Sequence, residues 1–390
     1  MMERVEKPVW SAVFATALAV VGLTMSEMLP SSLLTPIARD LGITEGLAGQ
    51  AATVTALAGL VTSLLIAVVA RNLNRRTLLL LISVLQVISN LLVAFAPNLA
   101  VLLLGRVLIG VAVGGFWSFS AALVLRLMPE ALVPRGLSII YLGVSLARVG
   151  GSPLAIYLGS LVGWRAVFLG VVGIALLGLA WLYFVLPSMP ARGLARLSTL
   201  FHLLKIPQVR LGMLGAILAF AGNMAFSTYM RPLLEIVTKV GVGELSGFLL
   251  GFGLAGFVGN SVAGAMHARS LRLSLASMTL LMGLLAGGFA LFGANLLAAS
   301  AIVSLWGFAF STVPIGWTTW LTRTVPEKAE SGGGLLVAVI QLGNMTGAAS
   351  GGAAFDASGP MGPLAISGTL LVLCALVVAL RLRPRVAGQA

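Results

Sequence analysis

A single cysteine, Cys374, stands in 390 residues, which excludes an internal disulfide and any multi-cysteine metal site. The two histidines, His202 and His267, are too few for a metal cluster. No Gly-x-x-x-x-Gly-Lys loop is present, so nothing points to ATP hydrolysis, and no cofactor or metal is expected. Charge is scarce as well: 9% of residues are Asp, Glu, Lys or Arg, against 59% hydrophobic. A soluble domain of this length could not cover so much apolar surface.

What the chain does have is apolar stretches of about 20 residues, the length that crosses a ~30 Å hydrocarbon core. They fall at 10–30, 49–70, 77–96, 100–124, 136–160, 164–186, 211–231, 245–267, 273–293, 297–321, 332–355 and 363–381. The first is too long for a signal peptide, lacks a small-residue cleavage site and leads into eleven more. The expected fold is an all-α membrane protein, because helices satisfy their own backbone hydrogen bonds in lipid. Twelve spans put both termini on one side.

The net charge of +13 would suggest nucleic acid in a soluble protein; here it reads as topology, and no nucleic-acid partner is expected. Eighteen of the 24 Lys and Arg residues fall in loops on the side of the termini. Arg39, Arg165, Arg231 and Lys239 fall in the opposite loops, while Arg106 and Arg148 lie inside spans. The positive-inside rule then puts both termini in the cytoplasm.

The longest loop is basic and lies at the midpoint, so the chain divides into a half at 1–186, a cytoplasmic linker at 187–209 and a second half at 210–390. The halves carry a weak repeat. Arg126-Leu-Met-Pro129-Glu130 recurs as Arg323-Thr-Val-Pro326-Glu327, an offset of 197, and at that offset Gly136 meets Gly333 and Gly150 meets Gly347. A parallel repeat of six spans predicts a central site between the halves. Gly143, Gly150, Gly151, Gly159, Gly347, Gly351 and Gly352 fall in spans 5 and 11, where small residues let helices approach closely.

Glu27 is the only acid set well inside an apolar span, with Asp356 the nearest to a second. A carboxylate at that depth is costly unless paired, protonated or facing water, and marks a functional site. Alternate exposure to the two sides would let it couple proton entry to substrate exit; the competing reading is a structural acid hydrogen-bonded near the outer interface. Arg106, in Gly105-Arg106-Val-Leu-Ile-Gly110, is some six residues (~9 Å) below the outer surface. That is a similar depth, so it is placed to meet Glu27 directly or through water, or else to snorkel. Arg148 is near mid-membrane and requires water or a partner, as a substrate contact or as part of a polar network. In span 7, Asn223, Phe226 and Tyr229 are spaced by three and share a helical face, which suits a planar polar ligand or a packed aromatic stripe. Gln341 and Asn344 in span 11 are again three apart, as cavity groups or as hydrogen bonds between helices. Trp117, Trp306, Trp317 and Trp320 read first as packing or interface anchors, with Trp117 also a candidate substrate contact.

These features resemble the major facilitator transporters, in the branch of twelve-span drug:proton antiporters. Arg106, Gly110 and Gly114 match that family's arginine motif in span 4, and Glu27 matches its acid in span 1. The span 5 motif is matched in part, by Ser152-Pro153, with Arg148 standing where glycine is usual. The signature between spans 2 and 3 keeps Arg75 and Arg76 in Ala70-Arg71-Asn72-Leu-Asn74-Arg75-Arg76 but lacks its aspartate. Within the branch, Gly114–Ser120, Asn223–Pro232, Val313–Arg323 and Val337–Asn344 are similar to the nucleoside exporters. The resemblance implies a major facilitator fold in a bacterial inner membrane, a monomer, and export of purine nucleosides in exchange for protons. Sugar or drug efflux by the same antiport, and a membrane sensor that binds without transport, are the alternatives; enzyme activity is not expected.

Overall fold

The structure, a computed structural model, describes residues 9–70, 72–129, 132–190, 203–325 and 329–382. Arg71, Glu130, Pro326, Glu327 and residues 191–202 of the predicted linker lie outside the described residues. The helices are α1 (Trp10–Ser32), α2 (Leu34–Leu41), α3 (Glu45–Val69), α4 (Arg75–Ala94), α5 (Leu99–Leu127), α6 (Val133–Leu146), α7 (Ser152–Val162), α8 (Trp164–Val185), α9 (Pro207–Leu233), α10 (Val242–Phe292), α11 (Leu296–Thr324), α12 (Ala329–Ser358) and α13 (Met361–Arg381). Each predicted span falls within one helix or overruns it by at most two residues, except that 136–160 covers α6, α7 and the turn between them, and 245–267 and 273–293 share α10.

Two departures from one helix per span have local causes. The 51 residues of α10 would run roughly 77 Å as one rod, more than twice the hydrocarbon core. Extended backbone at Ser270 (φ −160°, ψ 101°) folds it into two spans, and the Ser270 hydroxyl accepts from the Leu273 amide to start the second. Between α6 and α7 lies a π-helical turn, Ala147–Gly151, just ahead of Pro153. Proline has no N–H to give the carbonyl four residues back, and its ring crowds that turn, so the ladder widens there. A second π turn, Leu234–Thr238, follows α9 directly.

The internal repeat extends to the helix caps. Asn98 and Asn295, again 197 apart, each open a 29-residue helix, α5 and α11, and each accepts a hydrogen bond from the amide three residues on, at 3.1 Å. Two apolar cores belong to the first six spans, and the largest is drawn from residues 203–382 with Ile156 at its edge. Backbones approach closely where glycine allows: a Cβ on Gly114 of α5 would lie 2.8 Å from the Gly59 Cα of α3. Gly143 and Gly347 make the close contacts expected of spans 5 and 11, against Ala17 and Ala221, whereas Gly150 meets open space.

The two sets of six spans meet along two seams, α3 with α12 and the α6–α7 span with α10. At the end of the bundle away from the termini these seams are tied. Arg231 donates to the Ser32 carbonyl at 2.6 Å and pairs with Glu235 at 2.9 Å, and Glu235 accepts from the Thr35 hydroxyl at 2.6 Å. Asp356 accepts from the Thr44 hydroxyl at 3.1 Å and from the Gly46 amide at 3.2 Å. The end distal to the termini is therefore closed.

Candidate functional site

The first turn of the site follows from one proline. Pro30 cannot donate to the Ser26 carbonyl inside α1. That freed carbonyl accepts from Arg106 Nη1 at 2.6 Å; Arg106 Nη2 donates to the Glu27 carbonyl at 3.2 Å and Nε to the Thr55 hydroxyl at 3.0 Å. Arg106 is 1% exposed and enclosed by α1, α3 and α5. Around it Asn90 donates to the Ser26 hydroxyl at 2.8 Å, and the Ser89 hydroxyl to the Gly105 carbonyl at 2.7 Å, so the guanidinium sits in a polar knot within the first six spans.

Arg106 and Glu27 thus meet, as their depths predict, but through the backbone of Glu27. The Glu27 carboxylate itself makes no direct ion pair or hydrogen bond among the described residues. It is half-buried and faces two positive charges, Arg148 more strongly than Arg106. Arg148 projects from the π turn of the fifth span, where Gly151 packs on Met25 of α1, two residues before Glu27. Among the described residues its guanidinium has no hydrogen-bond partner. Single-turn π bulges concentrate at functional sites because they re-aim a side chain within an otherwise regular helix. Here one carries a cation that lies within electrostatic reach of the Glu27 carboxylate.

Asn223 and Phe226 do share a face, but it points into the second set of six spans. The Asn223 carbonyl oxygen accepts from Trp306 Nε1 at 3.1 Å, and Phe226 stacks on the same Trp306 with centroids 3.9 Å apart. Tyr229 is fully buried at the closed distal end, where its hydroxyl donates to the Ala348 carbonyl at 3.1 Å and its ring stacks on Phe355. All three are taken up by protein contacts in this arrangement. Trp306, Trp317 and Trp320 are fully buried, as packing residues are.

Gln341 and Asn344 bond to each other, Asn344 Nδ2 donating to Gln341 Oε1 at 3.1 Å. Gln341 is buried at the seam against Gly59 of α3, with its Nε2 unpartnered; Asn344 is half-buried. Trp117 on α5 is half-buried and stacks on Tyr141 of α6 at 5.7 Å and 27°. Tyr141 was not singled out in the sequence. The signal for it is its spacing: it stands seven residues, two helical turns, before Arg148 and so lies on the same face.

The arrangement is a carboxylate and a cation, both half-buried and neither directly bonded among the described residues, inside a twelve-span bundle closed at one end. A profile of the Major Facilitator Superfamily matches residues 16–343, and the chain belongs to that superfamily of transporters. Among curated proteins it is 45% identical over 379 residues to the purine ribonucleoside efflux pump NepI of Salmonella paratyphi C, covering 97% of this chain and 96% of the relative. The same values hold for the pump of that name in Salmonella typhimurium. Among solved structures, a D-xylose-proton symporter superposes with TM-score 0.78 at 16% identity, covering 97% of this chain and 99% of that one. A bacterial homolog of the human lysosomal transporter Spinster, inward-facing and unoccupied, gives 0.72 at 18% identity, covering 97% and 95%. At those identities the two structures speak for the fold alone.

Proposed function

We propose that the chain exports purine ribonucleosides such as inosine across a bacterial inner membrane in exchange for protons. It works as a monomeric carrier without enzymatic activity, with its termini, and the open end of the bundle, in the cytoplasm. The six-span halves at 1–186 and 210–390 rock about the central site, joined by the linker at 187–209. The name shared by relatives at 45% identity supports the cargo. The observation that carries the mechanism is the half-buried Glu27 carboxylate, which no hydrogen bond or ion pair holds among the described residues and which has Arg148 and Arg106 as its positive neighbours.

An ionised carboxylate is acceptor-only, and a ribose diol offers two O–H donors to it. Protonating Glu27 converts one of those acceptor positions to a donor, so the proton and the nucleoside compete for the same group. Exclusive occupancy is the requirement of an antiporter: nucleoside rides out on ionised Glu27 with Arg148 against its oxygens, and the proton taken up outside rides back. Asn344 is a further polar contact to substrate. Arg106 holds the α1 turn that presents Glu27.

Purified protein in liposomes under an imposed pH gradient tests this, with labelled inosine followed for wild type and Glu27→Gln. The expected result is gradient-driven inosine movement in the wild type, lost in the variant while passive exchange persists. Gradient-driven movement that survives Glu27→Gln rules out the assignment.

A further inference from the structure

Tyr141 is 52% exposed although it sits within a membrane span and one face of its ring is covered by Trp117. Its surroundings say which way it looks. Gly143 packs this span on α1, and Val149 packs it on Gly253 of α10. Leu142 and Leu146, exposed at 50% and 59%, occupy one side between those two contacts and face lipid. Tyr141 and Arg148 occupy the other side, which is the side of α5, as the stack with Trp117 requires. So the free face of Tyr141 looks into the interior, about 10 Å toward the terminal end from Arg148.

We infer that Tyr141, backed by Trp117, is the stacking platform for the nucleobase, and that it selects a planar aromatic substrate over a free sugar. The inference rests on the nucleoside reading above and deepens it. An aromatic base buries both its faces poorly in a site made only of polar groups; a flat ring already held by a second ring offers it a preorganised surface. The spacing fits a nucleoside as a bipartite ligand. The base lies on Tyr141, and the ribose extends toward Arg148 and Glu27, whose polar atoms lack direct partners and match hydroxyl groups. A sugar alone would engage only the second part. The two ring faces serve different ends: Trp117 fixes the rotamer of Tyr141 on one, and the substrate takes the other. Offset stacking is indifferent to the base's hydrogen-bonding edge, so the platform recognises purines as a class and leaves discrimination among them to other contacts.

Tyr141→Leu keeps an apolar side chain and removes the ring, while Tyr141→Phe keeps the ring and removes only the hydroxyl. In proteoliposomes, Tyr141→Leu is expected to raise the KM for inosine roughly tenfold to a hundredfold, the range lost with one base–aromatic stack, and Tyr141→Phe to stay near wild type. Free ribose, added as a competitor, is expected to inhibit wild type and Tyr141→Leu with equal weakness. Quenching of intrinsic fluorescence by inosine is expected to fall in Trp117→Phe, since the base approaches that indole through Tyr141. If Tyr141→Leu folds, as judged by its melting transition, and transports inosine with wild-type KM, the platform is wrong while the nucleoside reading stands. If the wild type moves no nucleoside at all, both fall together.

Discussion

Arg106 and Arg148 are alike in sequence, both cations inside spans of the first half, and differ in what holds them. Arg106 is spent on structure: three of its N–H groups satisfy two carbonyls and a hydroxyl, one of those carbonyls freed by Pro30. Arg106→Leu therefore leaves buried acceptors without donors, and is expected to cost on the order of 3 kcal/mol of stability. Arg148→Leu removes a cation that no hydrogen bond holds, so its melting temperature is expected to stay at or above that of the wild type while nucleoside binding is lost. Thermal melts of the two variants beside a binding assay separate them. Equal destabilisation by both substitutions would refute the division of labour. The sequence showed that each arginine must have a reason to be there, since an idle guanidinium in lipid is too costly to keep. It did not show which was which, because the freed carbonyl of Ser26 and the π turn under Arg148 depend on how helices meet. Span 7 makes the same point. A spacing of three puts Asn223 and Phe226 on one face, but periodicity does not fix how the helix is turned about its axis. That turn, set by Trp306, pointed the face into the core.

At the scale of elements, the distal closure depends on one carboxylate from the second half reaching the start of a helix in the first. Thr44 precedes α3, and its hydroxyl accepts from the Leu47 amide at 3.1 Å. Asp356, in the last turn of α12, accepts from that hydroxyl and from the Gly46 amide, so it caps α3 across the seam and lies at the positive end of its dipole. This accounts for the one acid besides Glu27 that intrudes on an apolar span. An N-cap contact is worth about 1–2 kcal/mol, and this one exists only in the closed arrangement. Asp356→Ala should shift the ratio of closed to open distal ends by roughly five- to thirtyfold. A cysteine replacing Gln50, which lies beside Gly352 at the same seam, reads this out by its labelling rate with a membrane-impermeant maleimide. An unchanged rate in the Asp356→Ala background would show that the cap does not hold the gate. At the other end the signature between spans 2 and 3 has no acid to do the same. Asn74 instead caps α4 and bonds Ser188 and Met189, and Arg75 and Arg76 donate to the Ala70 and Tyr183 carbonyls, none of them in the second half. The partners of Asp356 lie some 310 residues away in the chain, which is why no local pattern announced the contact.

For the whole molecule, the sequence was most informative where the physics is one-dimensional. Span number, span length and the bias of basic residues all follow from the cost of leaving polar groups in lipid, and each predicted span is present. The repeat was legible for a related reason: two halves with the same path through the bilayer need the same caps at the same intervals, down to Asn98 and Asn295. Orientation in the membrane is the global consequence still to be measured, and the chain is suited to measuring it. Its one cysteine, Cys374, is fully buried, with Sγ bonded to the Gly215 carbonyl at 3.2 Å, so introduced cysteines can be labelled against a silent background. Ala294 lies in the exposed connection between α10 and α11, at the distal end, and Ala268 is exposed near the Ser270 break, at the terminal end. In intact cells Ala294→Cys should react with an impermeant maleimide and Ala268→Cys should not, with both reacting once the membrane is opened. The reverse pattern would invert the carrier. The closed end would then face the cytoplasm, but exchange of proton entry for nucleoside exit would persist, because the proton gradient and not the carrier's orientation sets the direction of antiport.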